Sequence, residues 1–166
     1  NYQAWLGSGR ASKLCELFDF AMPVQRADGE QNLYTIALGP DDVAFRCNTV
    51  TLHEGLMADY SAGHIESADS AELVRTVNER LGKDGISFYP GVSYRHCLVW
   101  RDGQFGMQLT PPHDITGRPI LEFLPKGEGA EGLRRLMQDS QAIFHDHPVN
   151  VARRQRGEAA ISSIWL

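Results

Sequence analysis

Two short segments concentrate side chains able to move protons and hold anions: Asp59-Tyr60-Ser61-Ala62-Gly63-His64 and Ser93-Tyr94-Arg95-His96. Each sets titratable or charged groups beside small residues, the composition of a turn that brings backbone and side chain close to a small anion. On the first, a carboxylate and an imidazole flank Ser61-Ala62-Gly63, and such a pair can exchange a proton with a substrate hydroxyl. The plainer alternative is a loop in which Asp59 and His64 satisfy backbone groups. On the second, Arg95 and His96 are neighbours; in a strand they point to opposite faces, so one of the two readily lines a pocket. His113-Asp114 follows Pro111-Pro112, and two prolines hold that turn by fixing φ and removing donors. Arg46 and Asn48 alternate with Phe45 and Cys47, so they share a strand face that is either solvated or a paired site.

Other chemistry-like patterns are weaker. Gly127-Glu128-Gly129-Ala130-Glu131-Gly132 matches GxGxxG in form, but Glu128 and Glu131 would repel a pyrophosphate, and no acidic residue ends a second strand about 20 residues later. It reads as a flexible helix entry. His145-Asp146-His147 places three metal-capable groups side by side, and adjacent positions seldom converge on one ion. It reads as a solvated helix junction, and no metal ligands are assigned in this chain. Cys15, Cys47 and Cys97 lack CxxC spacing, which supports neither zinc nor a disulfide framework.

The elements that must position these groups follow from patterning. A chain of 166 residues, 42% hydrophobic and 22% charged, suits one domain. A net charge of -5 argues against general affinity for nucleic acid or an anionic membrane. No apolar run approaches the roughly 20 residues that span a bilayer, no leader is visible, and the expected setting is reducing and cytoplasmic. Val43–Leu52 predicts a strand after the turn Gly39-Pro40-Asp41-Asp42, and Gly55 to Gly63 a loop or hairpin. Asp69-Ser70-Ala71-Glu72 has capping-box character, and Leu73, Val74, Val77 and Leu81 predict a helix stopped by Gly82. Strands are predicted at Ile86–Tyr89 and Val92–Trp100, with Gln104–Leu109 as a hairpin partner. Helices are predicted from about Ala130 to Phe144 and after Pro148, before a last strand in Ile161–Leu166. Leu14–Phe20 suggests a short helix and Arg26–Glu30 a polar turn. The order favours an α+β fold, a mixed sheet with helices on one face.

Several blocks together resemble a known family. They are Gly39-Pro40-Asp41-Asp42-Val43-Ala44-Phe45-Arg46-Cys47-Asn48, Asp59 to Ile65, Phe88 to His96, and Thr110-Pro111-Pro112-His113-Asp114-Ile115. His147-Pro148-Val149-Asn150 with Arg153, and Ile164-Trp165-Leu166, complete the series. From about Gly39 to Leu166 the chain resembles the archaeal-type, cofactor-independent phosphoglycerate mutases of the alkaline phosphatase superfamily. Residues 1–38 match poorly, and Ala159–Ser163 replaces a Pro- and Asn-containing stretch of the family pattern.

The resemblance implies a metallophosphatase core interrupted by a smaller α+β domain, with residues 39–166 as that inserted, substrate-binding domain. The core would supply a nucleophilic serine and two divalent ions such as manganese or magnesium; this chain would carry no cofactor. Its partners would be a phosphoglycerate and the core. Arg46 and Arg95 are expected as anion contacts, with His96 and Arg153 also in the substrate-binding set. His64 and His113 would bond a carboxylate or hydroxyl, and Asn48 and Asn150 would orient the substrate. Asp59 is the preferred proton acceptor, with Asp114 second. Two alternatives stay open: a stand-alone small-anion-binding module, and another phosphoester or phosphonate enzyme of the same superfamily.

Overall fold

The structure, a computed structural model, describes residues 5–7, 22–25, 31–34, 42–91, 93–101 and 107–166. Its organising element is one 12-residue strand, β4 (Asp42–His53), on which most of the other strands dock. One stretch of it pairs antiparallel with β7 (Arg95–Trp100) over Val43 to Asn48, and β7 in turn pairs with β6 (Ile86–Tyr89). Along β4, β1 (Trp5–Gly7) pairs at Asp42–Ala44, and β8 (Ser163–Trp165) pairs at Asn48–Val50. Beyond these, β4 turns back as a hairpin into β5 (Leu56–Asp59), with a register shift between Thr51 and Leu52. A separate two-stranded ladder joins β2 (Met22–Gln25) to β3 (Gln31–Tyr34). Every ladder between these strands is antiparallel.

Among the described residues three α-helices complete the α+β fold: α1 (Ser67–Leu81), α2 (Ala130–His145) and α3 (Pro148–Gln155). Helix α1 packs on β6 and touches both α2 and α3, while α2 packs on β8. The strand period decides what meets the helices. Phe45, Cys47 and Thr49 alternate onto the face that carries Leu98 and His96 across the ladder, and Thr49 Oγ1 lies 3.4 Å from Ser70 Oγ on α1. That face joins Leu73, Val74 and Val77 of α1 in a continuous core with Phe88, Leu133, Met137, Phe144 and Ile164. Each such fully buried side chain contributes about 1.5–3 kcal/mol. Arg46, Asn48 and Arg95 therefore project from the opposite face.

The predicted strands and helices in the described region are present, with differences at several boundaries. Helix α1 starts at Ser67, so Asp69 lies in its first turn and no side chain caps it. Glu72 pairs instead with Arg75, and Asp69 with Arg156 at 3.8 Å. Gly82 does end the helix, at an ordinary φ of -74. Glycine is needed there for space, because a Cβ would stand 2.3 Å from the Asn78 carbonyl oxygen. Strand β7 starts at Arg95 rather than Val92, since Ser93 is left-handed with φ 52. The predicted hairpin partner Gln104–Leu109 lies outside the described residues up to 106, and Gln108 bridges to Lys126 instead. The Leu14–Phe20 helix and the Arg26–Glu30 turn also lie outside them. His147 corrects the solvated-junction reading: it is buried, its Nδ1 accepts the Val149 N–H at 3.2 Å to cap α3, and its Nε2 lies 2.9 Å from Thr76 Oγ1 on α1.

Candidate functional site

The face of the sheet turned away from α1 carries Arg46, Asn48 and Arg95. Arg46 and Asn48 follow one another along β4 with the strand period, and Arg95 on β7 stands directly opposite Asn48. Directly opposite strand residues hold their Cβ atoms about 4.5–5.5 Å apart. On the other side of Asn48 stands Trp165 of β8. Between these neighbours the Asn48 side chain is fully buried, and among the described residues neither its Oδ1 nor its Nδ2 has a hydrogen-bond partner. Leaving a buried amide unpaired costs about 1–3 kcal/mol.

A chain of contacts encloses that position. The Arg95 guanidinium lies over the Tyr94 ring, 5.9 Å from its centroid, which restrains the charge by cation–π attraction. Tyr94 meets Tyr60 edge-on at 5.8 Å and His64 at 6.0 Å. Tyr60 meets His113 at 6.1 Å, and His113 Nε2 lies 3.2 Å from Asp114 Oδ1. Three residues earlier, the Thr110 carbonyl accepts the Trp165 indole N–H at 2.8 Å, which returns the circuit to Asn48. Pro112–Ile115 forms a 3-10 turn with Pro112 and Ile115 buried, which anchors the exposed His113 and Asp114 from both ends.

The Asp59 turn joins this circuit through His64. Asp59 ends β5, and its Oδ1 accepts from Ser61 N–H at 2.8 Å and Ser61 Oγ at 2.7 Å, while Oδ2 accepts from Gly63 N–H at 2.8 Å. Partial burial by itself pushes the Asp59 pKa up, but the bonds from Ser61 and Gly63 and the nearby His64 outweigh it and hold the carboxyl below its ordinary value. The turn is unusual: Ala62, Gly63 and His64 all have positive φ, 50, 68 and 53. A left-handed non-glycine residue costs about 1–3 kcal/mol and persists only where its surroundings over-determine it.

Thus ring and charge contacts link Arg95, His64, His113 and Asp114 through Tyr94 and Tyr60, with Asp59 on the turn before His64, while Arg46 and buried Asn48 lie on the same sheet face as Arg95. Three other expected contacts are committed to the fold. His96 is buried; its Nδ1 accepts the Gly91 N–H at 2.9 Å and its Nε2 lies 2.7 Å from Ser70 Oγ, and burial pushes its pKa down to about 3. The Asn150 amide donates to Phe144 O at 2.7 Å and Ile161 O at 2.8 Å and accepts Ile161 N–H at 2.7 Å. Arg153 donates to Ala159 O at 2.9 Å and pairs with Glu158 at 3.3 Å. Sequence reading missed Tyr60, Tyr94 and Trp165 as the frame of the site. An aromatic inside each titratable cluster was the available signal, but reading Val92–Trp100 as one strand sets Tyr94 opposite Arg95, whereas β7 starts at Arg95 and the two side chains meet.

Among the described residues, no group of three or more His, Cys, Asp and Glu side chains is arranged to hold a metal ion, and no helix is long and apolar enough to cross a membrane.

The model of the 2,3-bisphosphoglycerate-independent phosphoglycerate mutase family matches residues 34–150. A probable mutase of that kind from Geobacter sulfurreducens is 50% identical over 135 residues, covering 79% of this chain and 34% of that protein. One from Methanosarcina barkeri is 44% identical over 142 residues, covering 85% of this chain and 36% of that protein. The fold is shared with the cofactor-independent phosphoglycerate mutase of Thermoplasma acidophilum, at TM-score 0.62 and 24% identity over 76% of this chain and 36% of that one. The chain spans about a third of the length of these relatives, and it belongs to the 2,3-bisphosphoglycerate-independent phosphoglycerate mutase family.

Proposed function

We propose that this chain is the substrate-binding domain of a phosphoglycerate mutase that interconverts 3-phosphoglycerate and 2-phosphoglycerate, the phosphoryl group passing through a serine on a separate metallophosphatase core. The observation that carries the reading is Asn48: a buried amide, unpartnered among the described residues, set between Arg95 and Trp165 on a face that also holds Arg46. A polar group kept unpaired inside a protein calls for a ligand to pair it.

In this reading Arg46 and Arg95 hold the carboxylate or phosphate by charge-assisted bonds. Asn48 fixes the orientation of the acid, and His64 and His113 bond its hydroxyls. Those hydroxyls must exchange places relative to the core while the acid stays bound. Arg95, His64, His113 and Asp114 are all exposed, so this rim can follow a turning glycerate while buried Asn48 stays fixed. Asp114, exposed and beside His113, takes a hydroxyl proton in this reading. The divalent ions proposed for the core would supply activation of the serine and neutralisation of phosphoryl charge.

The test is Arg95→Ala in the full-length protein, assayed with 3-phosphoglycerate. Loss of a charged hydrogen bond worth about 1.5–3 kcal/mol lowers kcat/KM by about 10- to 100-fold. Arg75→Ala removes an exposed guanidinium paired with Glu72 on α1 and serves as the control, with a change below about twofold. Equal behaviour of the two variants sinks the assignment.

A further inference from the structure

The Ala62–His64 turn and the turn that precedes Arg95 are one mechanical unit. Ser93, left-handed itself, donates its backbone N–H to Ser67 Oγ at 2.9 Å and its hydroxyl to Ile65 O at 2.8 Å. These bonds fasten the turn that precedes Arg95 to the residues directly after His64. On the far side of His64, Asp59 spends both carboxylate oxygens on Ser61 and Gly63, and Ser61 Oγ accepts the His64 N–H at 3.3 Å. Three successive left-handed residues are thereby fixed from both ends, and the fixed end product is the edge contact of His64 with Tyr94.

We propose that Asp59 is a positioning residue, whose carboxylate braces the left-handed turn Ala62–His64 and so sets where His64 meets the substrate, and that it is not the group that takes the substrate's proton. This inference rests on the mutase reading. A base needs an oxygen directed at the proton it abstracts, and both oxygens of Asp59 are directed into its own turn. The titratable and cationic side chains near it are His64 on the same turn and Arg153, whose Nη2 lies 3.7 Å from where a Cβ on Gly63 would stand. A carboxylate held below its ordinary pKa is also a weaker base.

The experiment compares Asp59→Asn and Gly63→Ala in the full-length protein. Asp59→Asn keeps shape and one acceptor but sets an NH2 group against the Gly63 N–H. Gly63→Ala leaves the carboxylate intact and strains the turn through its φ of 68, since the added Cβ meets Arg153 at an ordinary contact distance. Both variants are expected to raise KM for 3-phosphoglycerate about tenfold, to lower kcat by less than about threefold, and to leave the acid limb of the pH–rate profile in place. Amide hydrogen exchange at Ser61 and Gly63 quickens in Asp59→Asn, a readout independent of turnover. A kcat loss of about a hundredfold or more with KM unchanged and the acid limb abolished makes Asp59 the proton acceptor and overturns the proposal. So does unchanged KM in both variants, or undiminished protection of Gly63 in Asp59→Asn. Arg95→Ala in the same assay separates the two ideas: if it matches wild type, the mutase-site reading fails, and the exchange data alone judge the brace.

Discussion

The Gly91 backbone N–H, 2.9 Å from His96 Nδ1, sets the tautomer of that imidazole. A backbone N–H can only donate, so Nδ1 is the unprotonated nitrogen, and neutral His96 carries its proton on Nε2, 2.7 Å from Ser70 Oγ. The pair has the distance of a serine activated by histidine but the opposite polarity: the imidazole donates. It is a buried clamp between β7 and α1.

Stability should fall in mild acid because of that clamp. Burial lowers the pKa of His96 to about 3 and also lowers that of His147. Between about 6.5 and 3 the unfolded chain binds a proton at His96 that the folded chain refuses. Unfolding free energy therefore decreases as pH drops, by up to about 1.4 kcal/mol per pH unit from His96 alone. Urea titrations at pH 7, 6, 5 and 4 check this, and His96→Gln should flatten the slope. A pH-independent midpoint over that range contradicts the assignment.

Replacing Asn48 with leucine should make the protein more stable and less active. The substitution removes an unpaired buried amide of similar shape, so the folded state gains about 1–2 kcal/mol. The same change removes the proposed orienting group, so KM for 3-phosphoglycerate rises about tenfold in the full-length protein. Thermal denaturation and steady-state kinetics on one preparation give both numbers. A destabilised Asn48→Leu would mean that the amide has a partner in solution.

Asn150→Ala should be among the most damaging substitutions in the molecule. One amide satisfies the last turn of α2 at Phe144 and both backbone groups of Ile161. Truncation strands three buried polar groups and costs about 3 kcal/mol. Chemical denaturation measures it; a loss below about 0.5 kcal/mol would show that water replaces the amide.

The elements were legible where local signals were strong. Leu73, Val74, Val77 and Leu81 mark α1, and Pro148 marks the start of α3, because helical spacing and a fixed φ act within a few residues. Boundaries were missed where a distant partner overrode the local signal. Glu72 invites a capping box with Asp69, yet Arg75 takes Glu72 and Arg156 lies by Asp69. Ser93 continues a β-rich run in sequence, yet bonds to Ser67 and Ile65 hold it left-handed.

The same division holds for the site. By itself the sequence determined which charged and titratable groups are present, the face shared by Arg46 and Asn48, the opposition of Arg95 to His96, and the family blocks in order. These follow from side-chain chemistry and a period of two along a strand. Only the tertiary structure decided that His96, Asn150 and Arg153 turn inward, that Tyr60, Tyr94 and Trp165 frame the site, and that Asp59 is spent on its own turn. Those outcomes depend on which hydrogen-bond partners arrive from residues far along the chain, and no local pattern encodes that.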